Sequence, residues 1–374
     1  DSGALADDSR VAVVRAGAHA AGMAAGRAHG GGVEVARVAC RFMGSLSVHY
    51  DNTAPLIRAG AHVAVIEAGR AHAGDVEVAR AACGALQILA YADGVEVSLV
   101  RDGAHIAVMA AMREHGSDVE VVRQACSALI RLSYEAENQV PLVHDGSHLI
   151  LMAAARDHSS NVGVVRVVCA ALRSLSAHYD NAAPLLRDGA HLTVITAARD
   201  HGGDMEVARY ACETLQNLAL APESAVLLVR DDAHSAVIAA ARRHSVDVVV
   251  AIAACRALWR LSFAPDSAAP LVRDGAHTAV MAAARAHIGD VLVARAACGA
   301  LLNLSRSSTA VESRAALVRD GVSEFLRFVC DRHPDDATVR DYRTAAVWLC
   351  RLRTARNRYE QLIVNNSVIS NCNS

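Results

Sequence analysis

The chain of 374 residues is 53% hydrophobic but only 3% aromatic, so Ala, Val and Leu must fill its core. Side chains of that size suit closely packed helices and count against a sandwich or barrel. A net charge of −2 leaves no strong field to draw the whole chain to nucleic acid or a membrane surface, and no apolar run reaches the ~18 residues of a membrane span.

Residues 1–7 are an N-terminal extension, and from Asp8 onward the sequence repeats itself. His19, His62, His105, His148, His191, His234 and His277 stand 43 residues apart. Cys40, Cys83, Cys126, Cys169, Cys212, Cys255 and Cys298 keep the same spacing. A period of this length marks a solenoid. Units begin near residues 8, 51, 94, 137, 180, 223, 266 and 312. The eighth is displaced by three residues, since His287 matches His333 at a step of 46, and the extra residues fall near Ser307-Ser308-Thr309.

In the unit from Asp51 to Asp93, Asn52 to Arg58 predicts a short first helix, with Pro55 in a first turn where its missing N–H costs little. Gly60 ends it, because glycine accepts the left-handed C′ conformation. His62 to His72 predicts a second helix with Val63, Val65 and Ile66 on its apolar face, broken at Ala73-Gly74. Asp75 then caps a third helix, Val76 to Ala90, with Glu77 in its first turn. Val76, Ala79, Cys83, Leu86 and Leu89 follow the 3–4 spacing of a buried stripe. No unit contains a convincing alternating strand. A unit this small cannot bury its stripe alone, so neighbours must stack. The array, residues 8–357, runs to about Asn357, and residues 358–374 form a polar tail.

The repeat resembles the armadillo family, whose third helix carries an Ala-x-x-Ala-Leu-x-Asn-Leu stretch. Ala297-Cys298-Gly299-Ala300-Leu301-Leu302-Asn303-Leu304 matches it fully, and Ala211 to Leu218 departs only at Thr214. The resemblance implies an all-α, right-handed α-solenoid of about eight three-helix repeats, with the third helices lining a concave groove. It also implies a non-catalytic scaffold for protein partners.

Candidate groove residues follow from that placement. Arg37, Arg80, Arg123, Arg166, Arg209 and Arg295 each precede the periodic Cys by three residues; Ile252 replaces one. Positions one and five residues after the Cys share that face and add Arg131, Asn217, Arg256, Arg260 and Asn303. An Arg-lined groove favours an extended segment carrying carboxylates or phosphates. The competing reading is a set of surface ion pairs, because Glu34, Glu77, Glu120 and Glu206 each precede an Arg by three. Arg166, Arg256, Arg260 and Arg295 lack that Glu and are the better binding candidates. In import adaptors of the armadillo fold the position after the Cys carries Trp; here it holds Arg41, Gly84, Ser127, Ala170, Glu213, Arg256 and Gly299. That departure speaks against an import role.

The other columns read as structural. Stacked helices 8–10 Å apart leave equivalent His too distant to share a metal ~2.0–2.1 Å from each nitrogen. A His at each end of the second helix, bonded to nearby carbonyls, is the better account. The second ladder is His29, His72, His115, His158, His201, His244 and His287. The Cys column reads as packing, and its reduced thiols point to a reducing compartment, cytoplasmic first and organellar second. Arg15, Arg58, Arg101, Arg187, Arg230 and Arg273 close the first helices, where a cation suits the dipole. No nucleotide-binding, metalloprotease or nucleophile-elbow motif is present, so no catalytic residue, cofactor or metal is expected. Scarce aromatics count against a nucleic-acid partner. All 37 basic residues are Arg, from GC-rich coding or selection against lysine. The chain begins at Asp1 rather than Met, as after processing or truncation. The expected function is a scaffold holding an extended acidic or phosphorylated segment. The alternative is a permanent structural subunit of a large assembly, axonemal or organellar.

Overall fold

A computed structural model describes residues 2–28, 32–92, 94–307 and 311–342. His29, Gly30, Gly31, Ser308, Thr309, the end of the eighth repeat and the tail from Arg358 lie outside the described residues. Those described form helices in successive threes with no strand among them. They gather into two compact units, Asp1–Ala197 and Ala198–Ser374.

In the first unit the third helices Val33–Ser47, Val76–Leu89, Val119–Leu132 and Val162–Leu175 pack each on the next. The second helices Ala18–Ala28, Ala61–Ala71, Ala104–Glu114 and Ser147–Asp157 stack in the same order. The second unit repeats the arrangement. Its third helices are Met205–Leu218, Val248–Leu261 and Val291–Ser307; its second helices are Ala233–Arg243, Ala276–Ala286 and Val322–Arg332. Each unit is therefore a stretch of all-α solenoid. The third helix Val291–Ser307 has 17 residues where Val248–Leu261 has 14, so this helix runs three residues longer just before the shifted eighth repeat.

Except for Val33–Ser47, which follows Gly32 and has none, the third helices start at a side-chain cap. Asp75, Asp118, Asp247 and Asp290 accept the N–H of Val78, Val121, Val250 and Val293 at 2.8, 2.9, 2.8 and 3.0 Å. The buried stripe is wider than the sequence suggests. In Val76–Leu89 it comprises Val78, Ala79, Ala82, Cys83, Ala85, Leu86 and Leu89, while Val76 is only partly covered. The reason is packing on several sides: the helix meets the third helices of both neighbours and the second helix of its own repeat. Conversely, Val63 on the second helix is 38% exposed although Val65 and Ile66 are buried. Pro55 also differs from expectation. It is not in the first turn but inside the helix Tyr50–Arg58, as Pro141 is inside Ala136–His144. Where Pro184 occurs, the first helix gives way to a 3₁₀ turn, Tyr179–Asn181, followed by Ala182–Arg187.

The first helix turns into the second through a left-handed residue. Gly60 (φ 82°), Gly103, Gly146 and Gly275 hold this position, and Asp232 (φ 67°) replaces them once. Asp232 tolerates that region as short polar residues do, and Arg199 fixes its carboxylate at 2.6 Å. A Cβ added at Gly60 meets nothing within 4 Å, so a substitution there tests backbone strain alone. Gly60→Ala is expected to destabilise the protein by ~1–2 kcal/mol. Gly74→Ala, equally open but without a positive φ, should stay within ~0.5 kcal/mol or stabilise slightly. Chemical denaturation of both variants beside the parent protein checks the pair. Equal losses would show that the Gly60 turn is not under left-handed constraint.

Candidate protein-interaction face

The structure first settles which side chains are committed to holding repeats together. The Cys column is buried: Cys83, Cys126, Cys212 and Cys255 are each 1% exposed or less. Burial pushes their thiols up to about 12, which leaves them protonated and unreactive.

Both His ladders link neighbouring repeats, but only one bonds to carbonyls as expected. In the ladder at the second-helix C-termini, His115, His158, His244, His287 and His333 donate from Nε2 to the backbone carbonyls of Ala73, Gly116, Gly202, Ser245 and Ile288. The distances run from 2.6 to 3.0 Å. In the ladder at the N-termini the partner is a carboxylate. His62, His105, His148, His234 and His277 meet Asp102, Asp145, Asp188, Asp274 and Asp320 of the next repeat at 2.8, 2.9, 3.0, 2.8 and 2.8 Å. Carboxylate and carbonyl oxygens only accept, so Nε2 carries the proton in both ladders. Among the described residues no group of three or more His, Cys, Asp or Glu could hold a metal ion.

Those Asp residues also explain the Arg column that closes the first helices. Arg187, Arg273 and Arg319 bond to the Asp that follows each of them, at 2.9, 2.8 and 2.9 Å, and that same carboxylate accepts the His. These three first helices thus end in an Arg–Asp pair clasped by a buried His from the preceding repeat. The Arg187 guanidinium, with His148, lowers Asp188 to about 2; Arg273, with His234, lowers Asp274 to about 2. The sequence holds the needed signal, because the Asp column has the same period as the His column, offset by 40 residues.

The candidate arginines fall into two sets. The first set is tied to carboxylates. Arg37 meets Glu34 at 2.7 Å and Asp75 at 3.3 Å; Arg80 binds Glu77 and Asp118; Arg123 reaches Glu120 at 3.3 Å. Arg209 lies 3.8 Å from Glu206 and 3.9 Å from Glu213. Arg295 has no Glu three residues before it, yet it is not unpaired: Asp336, the next cap, binds it at 2.5 Å. Asp75, Asp118 and Asp336 therefore serve twice, capping one third helix and accepting an Arg from the one before. Arg166 and Asn217 lie partly buried on their third helices and keep partners of their own.

The second set is not tied to a carboxylate. Arg131 lies 3.7 Å over the Tyr91 ring. Arg256 is exposed, and Arg260 sits 5.9 Å from the Trp259 ring and 5.5 Å from Phe263. The Asn303 side-chain nitrogen is buried without a hydrogen-bond partner among the described residues. In the second unit Arg256, Arg260 and Asn303 come together on two adjacent third helices. A separate cavity of about 330 Å³ in the first unit is lined by Met23, Cys40, Met43, Val65 and alanines, with Glu67 the one ionisable side chain in its wall apart from the buried thiol. A lone carboxylate there offers no acid–base pair.

Residues 133–271 match the family model described as LRRK2 ARM repeat. Over those residues the chain is similar to armadillo repeats. The armadillo scaffold is generally non-catalytic and serves protein interaction. An engineered protein solved as a structural-genomics target is similar at a TM-score of 0.56 and 19% identity, over 66% of this chain and 95% of that one. A chain from a study of a phosphorylation switch controlling the interaction between cadherin and beta-catenin aligns at a TM-score of 0.49 and 17% identity, over 88% of this chain and 72% of that one. No curated protein matches the sequence. No helix among the described residues is long and apolar enough to cross a membrane.

The His–Asp–Arg clasps make stability pH-dependent. The Asp carboxyls are depressed below their unfolded value of ~3.9, so their contribution is complete above that pH and is lost as the pH falls towards about 2. The thermal midpoint is expected to hold between neutral pH and ~4 and to drop steeply below it. His234→Phe should cost ~1–3 kcal/mol at neutral pH by removing a buried partner of Asp274. Circular dichroism melts across this range check both; a His234→Phe protein as stable as the parent would show that the clasp contributes nothing.

Proposed function

We propose that this chain is a non-catalytic protein-interaction scaffold whose third-helix face holds an extended acidic or phosphorylated segment of a partner. The observation that carries the reading is a surplus of donors. The side chains on that face that are neither buried nor tied to a carboxylate include Arg131, Arg256 and Arg260, and Asn303 has an unmet donor. Stacked helices ~8–10 Å apart present such groups at regular intervals, and a strand rising ~3.3 Å per residue passes one helix about every three residues. Carboxylate or phosphate oxygens on such a segment would meet guanidinium forks that no carboxylate among the described residues occupies.

A second reading, a permanent structural subunit, is favoured by a different observation. Val63, Ile106, Leu149 and Leu192, at the same position of successive second helices, are 38, 37, 50 and 49% exposed. Equivalent positions in the second unit are Ser235 and Thr278. A recurring exposed apolar column of this kind marks a surface that another subunit covers.

A tagged pull-down washed at low and high salt separates the two. Partners with acidic disordered segments that leave as salt rises are expected, because exposed charge contacts are screened within ~10 Å at 0.1 M salt. A fixed set of subunits that survives high salt but is lost from an Ile106→Ser/Leu149→Ser protein would replace the first reading with the second.

A further inference from the structure

We infer that the third helix Val248–Leu261 carries one dedicated anchor site, for a peptide side chain that is aromatic or large and apolar and is followed by a carboxylate or phosphate. The inference rests on the scaffold reading and narrows it to one place.

The sixth repeat breaks the pattern of the others. Val249 and Ile252 stand where the preceding repeat carries Glu206 and Arg209. The cations move instead to Arg256 and Arg260, one turn apart on the same face. Arg256 is exposed and makes no ion pair among the described residues. Glu213, at the equivalent position of the preceding third helix, lies 3.9 Å from Arg209.

Trp259 builds a shelf beside these cations. Its ring lies against the backbone of the neighbouring helix at Gly299, where an added Cβ would come within 2.8 Å of the indole. Phe263 stacks at 6.1 Å between centroids and is 43% exposed. Arg260 lies near both rings, which restrict where its guanidinium can point. On the next helix the Asn303 side-chain nitrogen has no acceptor. An exposed guanidinium, Arg256, and a second held near the rings, Arg260, thus share a helix face with a partly exposed aromatic surface. Among the described residues no carboxylate pairs with either cation. The complementary ligand has an anionic side chain for the arginines and a ring or large aliphatic chain for the shelf.

A peptide fits this better than a nucleic acid. Single-stranded nucleic acid needs a basic track for successive phosphates and rings for successive bases. Here Arg209 and Arg295, on the flanking third helices, are engaged with carboxylates, and the two rings stack on each other.

The test uses the full chain with Trp348→Phe, which leaves Trp259 as the one tryptophan of the two in the sequence. Two short peptides serve as probes, one alternating Glu with Phe and one alternating phosphoserine with Phe, and a thymidine oligonucleotide serves as competitor. Saturable change in Trp259 emission is expected with at least one peptide, and the tighter of the two assigns carboxylate or phosphate. Arg256→Gln and Arg260→Gln should each weaken binding about tenfold, ~1.4 kcal/mol. Gly299→Ala should weaken it by displacing the shelf, and Arg123→Gln, on the first unit, should leave it unchanged. Peptide binding that ignores Arg256→Gln, Arg260→Gln and Gly299→Ala but falls in Arg123→Gln sinks the anchor while the scaffold reading stands. No binding of either peptide, together with a salt-resistant partner set in the pull-down, sinks both. Displacement by the oligonucleotide at lower concentration than either peptide overturns the assignment to a peptide.

Discussion

The structure depends on one packing constraint: no third helix can be covered by its own repeat. Val76–Leu89 buries residues facing three directions, and two of those are supplied by neighbouring third helices. Burying a large aliphatic side chain is worth ~1.5–3 kcal/mol, so a third helix without neighbours would forfeit most of the energy that orders it. Small residues make such close stacking possible. Alanine and cysteine line the contact, and even a Cβ added at Gly44 would meet Ala85 of the next third helix at an ordinary van der Waals distance. The scarcity of aromatic residues is the compositional result of the same constraint.

That constraint also decides what the polar residues can do. Once helices must stack, each cap and each chain end lies beside the neighbouring repeat. A capping Asp then accepts an Arg from the repeat before it, and the Asp closing a first helix accepts a buried His. Most of the charge that looks like recognition chemistry is thereby committed to joining repeats. The cations not committed in this way include Arg256 and Arg260, in the repeat where Ile252 departs from the rule.

The sequence made the helices and their stacking legible because those follow from local spacing and a fixed period. The His ladders were legible as structural, but the partner of the first was not. His62 bonds to Asp102, 40 residues on, and nothing within one repeat points there. The period itself contained the answer. The offset of 40 becomes 43 at His277 and Asp320, the same three residues by which the eighth repeat is shifted. Arg295 was misjudged for a related reason. Its partner, Asp336, is remote in sequence, whereas the Glu at i−3 in other repeats is local. Recognition features such as the Trp259 shelf were harder still, since they depend on Gly299 of another repeat.

The buried thiols have a consequence for how the molecule can be watched. Each of the first seven repeats places one buried cysteine in the middle of its third helix, and burial holds thiols such as Cys83 and Cys126 protonated. A thiol in that state meets an alkylating reagent only when its repeat opens. The chain therefore carries a series of evenly placed timers of its own breathing. The rates at which they are labelled would rank the repeats from the first to loosen to the last.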